Sequence, residues 1–205
     1  MDNKAYLDQI AVKGKKPSVV QSLLTPAIIK LFAAGIVALI LFFVVIGILN
    51  SNNAKITQKF EAVYQRATSL ALDDGPMNQY NQKIKSTDLR QYNSTFQSVL
   101  ATFNNTYGGM ASTAGFNPEA ISADILKDDT LNTSTIEAEL NSGYLNGILD
   151  HTYAATAYYQ VSVLISMNEE AIAASTNTDL SDVINKFNLS LIDLQKLYKT
   201  FMNTH

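Results

Sequence analysis

The chain of 205 residues has no cysteine, no tryptophan, only two histidines, and arginine at positions 66 and 90 alone. Without cysteine there is no disulfide framework, no thiolate metal site and no covalently attached c-type haem, so any domain must be held by its apolar core. Glu-x-x-His, which a di-iron bundle takes from each of two helices, does not occur. Gly-x-Ser-x-Gly and a phosphate-cradling glycine loop are missing as well, and with them the common routes to nucleophilic catalysis and nucleotide binding. His205 is terminal, so His151 is the one interior histidine. As a haem ligand it would need a second axial group such as Met77, Met110, Met167 or Met202, and a hydrogen-bonded or half-exposed side chain is the simpler reading. These absences exclude an obvious enzyme, and we expect no catalytic residue, no cofactor and no metal.

What is present is a long apolar run. Leu31 to Leu49 (LFAAGIVALILFFVVIGIL) carries no charge, starts after Lys30 and ends against Asn50-Ser51-Asn52-Asn53. Its 19 residues match the length a helix needs to cross a hydrocarbon core. A cleaved signal would have a shorter apolar centre nearer the start and small residues at the cleavage point, and Gly47-Ile48-Leu49-Asn50 fits that poorly. Residues up to Lys30 carry Lys4, Lys13, Lys15, Lys16 and Lys30 against Asp2 and Asp8, a net +3, and the remainder is −6. Basic residues are retained on the cytoplasmic side. Lys55 and Lys59 are a mild counter-signal beyond the run. The sequence therefore predicts a cytoplasmic basic tail over 1–27, a transmembrane signal anchor over 28–49 and an extracytoplasmic domain over 50–205. The short lysine cluster has no interleaved aromatics, which reads as a tail facing lipid rather than nucleic acid.

The outer segment is patterned for helices. Ile56, Phe60, Val63, Ala67 and Leu70 follow steps of four and three, with Lys59, Glu61, Gln65 and Arg66 on the other faces. Nothing between Leu49 and Ile56 breaks a helix, so the span is free to continue into this one. Asp73-Asp74-Gly75-Pro76 stops it. Leu89, Tyr92, Phe96, Val99 and Phe103 mark a second helix that starts at Ser86-Thr87-Asp88, with Met77, Tyr80 and Ile84 on an earlier stripe that is either a separate helix or part of a kinked one. Tyr107-Gly108-Gly109 ends it. Met110 to Thr133 is irregular, with a short helix from Asn117-Pro118-Glu119 to about Leu126. A capping box, Ser134 with Glu137, opens a central helix expected to run to Ser175 through Ile136, Leu140, Tyr144, Leu145, Ile148, Leu149, Ala155, Tyr159, Val163 and Met167. Gly143 and Gly147 in it permit either a close helix approach or a bend. The last helix, capped by Thr178 or Asp179, carries an unbroken coiled-coil heptad of Leu180, Ile184, Phe187, Leu191, Leu194, Tyr198 and Phe201.

The expected fold is all-α: a single N-terminal transmembrane helix, then an up-down four-helix bundle with a short extra helix in the second crossover. The carboxyl terminus should lie near the bilayer, and the Asp73–Pro76 and Ser175–Thr178 turns at the far end. Asn93, Asn104, Asn132 and Asn188 each open an Asn-x-Ser/Thr triplet, read in so Asn-rich a chain as chance. His151 shares a helical face with Ala155 and Tyr158 or Tyr159, which makes His151, Tyr158 and Tyr159 the candidate lining of a ligand pocket, although tyrosines with hydroxyls at the edge of a core explain the same pattern. Two functions fit: a membrane-anchored interaction or scaffold protein of the cell envelope, partnered by another envelope protein or by itself, or a ligand-sensing or carrier domain that works with a partner subunit. The short cytoplasmic tail has no room for a signalling module, which favours the first.

Overall fold

In the computed structural model the described residues, 54–204, form helices joined by turns and loops, with no strand. The predicted tail and the Leu31–Leu49 anchor lie outside them, as does its junction with the first helix. Among the described residues no helix is long and apolar enough to cross a membrane. In chain order the helices are α1 (54–71), α2 (Pro76–Asn81), α3 (Thr87–Gly108), α4 (Ala111–Ala114), α5 (Ala123–Leu145), α6 (Leu149–Ala174) and α7 (Thr178–Thr204).

The apolar stripes read from the sequence build the core. Phe60, Val63, Ala67 and Leu70 of α1 are buried, as are Leu89, Phe96 and Phe103 of α3. Every heptad position of α7 from Leu180 to Phe201 is buried. Ser86 caps α3, its side chain accepting from the Leu89 N–H, while Asn177 rather than Thr178 or Asp179 caps α7 by accepting from the Leu180 N–H. The Met77–Tyr80 stripe is a separate short helix, α2, with Pro76 in its first turn, where a missing N–H costs nothing.

Two expectations are corrected. The predicted single helix from Ser134 to Ser175 is two antiparallel helices, α5 and α6, and α5 begins eleven residues early at Ala123, absorbing the short helix expected near Leu126. Ser134 is mid-helix and bonds back to the Thr130 carbonyl, so the capping box does not form. The reason for the early start lies in α1. Its Glu61, Gln65 and Arg66, expected to face water, dock α5: Glu61 accepts from the Ser122 N–H, and Asp129 accepts from Gln65 at 3.1 Å and from Ser69 at 3.0 Å, with the Arg66 Nε 3.3 Å away.

The extra helix reverses the ends. Helix α6 packs on α5, α7 and α2, and α7 packs on α3, while Gln97 and Tyr107 of α3 meet Leu70 and Phe60 of α1. Helices α1, α3, α7 and α6 thus enclose the core, with α5 laid over α1 and α6. Glu170 near the end of α6 pairs with Lys59 near the start of α1, so the Ser175–Thr178 turn lies at the end where residue 54 enters. Phe201 stands beside Lys85 and Asp150, so the end of α7 shares the opposite, distal end with the Asp73–Pro76 turn. Both placements differ from the four-helix expectation because one additional helix inverts every later direction.

The four Asn-x-Ser/Thr asparagines sit on helices. Asn93 and Asn188 are buried, Asn104 is half-buried, and Asn132 exchanges hydrogen bonds with Gln160.

Candidate functional site

The distal end is organised by the α5–α6 hairpin. Helix α5 stops at Leu145 because Gly147 adopts φ +74, a left-handed conformation that glycine takes without strain. The Ile148 N–H donates to the Gly143 carbonyl at 2.9 Å and the Gly147 N–H to the Tyr144 carbonyl at 3.2 Å, the paired bonds of a Schellman cap. Gly143 serves the second role foreseen for these glycines: a Cβ there would lie 2.5 Å from the Thr152 Oγ1, so its absence lets α6 start flush against α5.

The hairpin grips the segment between α2 and α3. The Asp150 carboxylate accepts from the Lys85 N–H at 2.9 Å and the Ser86 N–H at 2.7 Å. The Tyr153 hydroxyl donates to the Met77 carbonyl, and the Tyr80 hydroxyl to the Asn141 side chain. The Lys83 ammonium lies 4.2 Å from the centre of the Tyr80 ring and 4.9 Å from that of Tyr144, a cation held over two aromatic faces. Around this anchored base the apolar residues of the tip point outward: Leu145 is 73% exposed, Ile148 57% and Tyr144 49%. The sequence pattern predicts one continuous helix through all three, although Asn146-Gly147 is itself a turn signal.

Of the candidate lining residues His151, Tyr158 and Tyr159, two share a groove. His151 and Tyr159 (61% exposed) border an open groove between α5 and α6 with Glu139, Ser142, Thr152 and Thr156. Tyr158, one residue and about 100° around the helix from Tyr159, is half-buried and packs on the core instead. On the opposite face of α6 Tyr153, Ala154 and Ala157 are fully buried. A second groove, of about 450 Å³, runs between α3 and α7 over Val99, Phe103, Val183 and Phe187, with the Phe103 and Phe187 rings stacked 3.9 Å apart.

Burial pushes the hydroxyls of Tyr107, Tyr153 and Tyr198 above their ordinary value, and it lowers Arg66 against the opposing pull of Asp129. Among the described residues no three His, Cys, Asp or Glu side chains are placed to hold a metal ion. No family model, no curated protein and no solved structure matches this chain.

Proposed function

We propose that this chain is a membrane-anchored interaction or scaffold protein of the cell envelope, held in the bilayer by residues 28–49 with its helical domain on the extracytoplasmic side. The observation that carries the reading is the trio Tyr144, Leu145 and Ile148, large apolar side chains exposed together at the end of the domain opposite residue 54. Exposed apolar clusters on a well-packed domain mark contact surfaces. The lysine asymmetry around Leu31–Leu49 supports the orientation. The ligand-sensing or carrier alternative has less behind it, since Tyr158 packs on the core and does not line the groove that His151 and Tyr159 border.

The test is purification of the intact protein from its native membranes with a photo-crosslinking residue at position 145. Alkaline extraction should leave the chain in the membrane, external protease should reach residues 54–204, and the crosslinker should capture one recurrent neighbour. A chain released by alkali, or one that is solitary and monomeric at every crosslinker position on the tip, would overturn the reading.

A further inference from the structure

Gln91 to Pro118 is a run of 28 residues without one acidic, basic or histidine side chain. The exposed positions of α3 beyond Arg90, Thr95, Ser98, Thr102 and Thr106 among them, therefore carry no charge. Domain surfaces ordinarily mix charges of both signs, and a charge-poor exposed face has the composition of a contact surface. This face is one wall of the groove over Val99, Phe103, Val183 and Phe187. The Phe96–Tyr198 and Phe103–Phe187 ring contacts set α3 and α7 antiparallel, so Lys186 stands toward the Thr106 end of the groove and Ser190 farther toward the Thr95 end.

Most rim hydroxyls are engaged within their own helix. Thr95, Ser98, Thr102 and Ser190 donate to the Gln91, Ser94, Ser98 and Lys186 carbonyls at 3.1, 3.0, 2.8 and 3.4 Å. Along that length the groove offers apolar side chains and no free hydroxyl donor, which leaves little to hold a sugar or a nucleotide. Two donors remain, both at the Thr106 end: among the described residues the Lys186 ammonium makes no ion pair and the Thr106 hydroxyl no hydrogen bond. Lys186 is the one charged residue in the lining. Asp182, one turn before it on α7, is exposed, lies outside the lining and forms no ion pair with it.

Size narrows the occupant further. Helix α3 rises about 16 Å from Thr95 to Thr106, so a volume of about 450 Å³ leaves a mean cross-section of about 28 Å². A helix, about 10–12 Å across with its side chains, needs more than twice that section, whereas one extended hydrocarbon chain fits. We infer that the α3–α7 groove binds a long-chain carboxylate, its hydrocarbon lying over Val99, Phe103 and Phe187 toward Thr95 and its head group meeting Lys186 and Thr106. A charge-assisted bond at one end and an apolar bed along the rest match an amphiphile with one anionic end. The site goes beyond the scaffold reading and does not rest on it, since neither the α5–α6 tip nor Leu31–Leu49 contributes a lining residue.

The full chain in phosphatidylcholine nanodiscs is mixed with photoactivatable palmitate and irradiated, and the labelled residues are mapped by mass spectrometry. Labelling concentrated around Val99, Phe103 and Val183, and displaced by unlabelled palmitate, is expected. Lys186→Glu should weaken it about tenfold or more, because a like charge replaces the ammonium. Thr102→Trp, which sets an indole in the groove, should abolish it. Both altered positions are exposed, so both variants should keep the parent melting temperature. Labelling spread evenly over exposed apolar side chains such as Leu145, or unchanged in Thr102→Trp, overturns the inference. Equal labelling by a photoactivatable alcohol of the same length, or labelling unchanged in Lys186→Glu, overturns the choice of a carboxylate. Capture of a second copy or of another protein by a photo-crosslinking residue at position 98, without palmitate labelling, overturns it in favour of a protein contact.

Discussion

Asn168 of α6 donates a 2.7 Å hydrogen bond to the Asn188 side chain of α7, in a seam whose neighbouring buried positions are Leu164, Ala171, Ile184 and Leu191. A buried polar pair inside an apolar seam fixes register, because sliding either helix by a turn would leave both amides unpaired. Asn188→Ala should therefore cost about 1–3 kcal/mol by stranding the Asn168 amide. Replacing both with leucine should leave stability unchanged or raise it while permitting alternative α6–α7 registers. Denaturant melting measures the first effect, and the dispersion of amide NMR signals the second.

Gly143 admits no side chain. Gly143→Ala would drive a methyl to within 2.5 Å of the Thr152 Oγ1, and overpacking at a helix contact costs about 1–3 kcal/mol. Adding Thr152→Ala should recover much of the loss. A double-mutant cycle by thermal melting reads the coupling, and additive losses would contradict the assigned contact.

Asp129 is the buried anion of the α1–α5 contact. Asp129→Ala removes the partner of Arg66 together with the acceptor for Gln65 and Ser69, and about 3–5 kcal/mol is expected from the uncompensated guanidinium. Hydrogen exchange should show the first turns of α5 opening ahead of the rest.

Alkaline pH should unfold the domain by driving its buried tyrosines to ionise. In the native state burial holds the Tyr107 and Tyr198 hydroxyls above their ordinary value of 10.0, so between that value and the raised one the folded chain keeps protons that the unfolded chain has lost. The contribution is fully present below about pH 10 and declines as pH rises further. Tyr107→Phe and Tyr198→Phe should each move the alkaline transition upward, as followed by circular dichroism.

The two faces of α7 should respond in opposite ways to mutation. Phe187→Asp places a charge beneath the stacked Phe103 ring and should unfold the domain, whereas Lys199→Ala, on the exposed face, should stay within about 0.5 kcal/mol. Equal tolerance in melting experiments would contradict the assigned burial.

The sequence by itself determined the all-helical class, the buried stripes of α1, α3 and α7, and the stop at Asp73–Pro76. Each is a local matter: apolar side chains recurring every three or four residues select one helix face, and glycine or proline ends it. The tertiary structure alone decided that Glu61, Gln65 and Arg66 dock a helix instead of facing water, since a charged face looks the same in sequence whether it meets solvent or Asp129. It also decided that Tyr144, Leu145 and Ile148 stand outside the core. A single glycine with positive φ folds α5 back onto α6, and the count of helices, the end at which α7 finishes and the surface offered to a partner all follow from that one backbone angle.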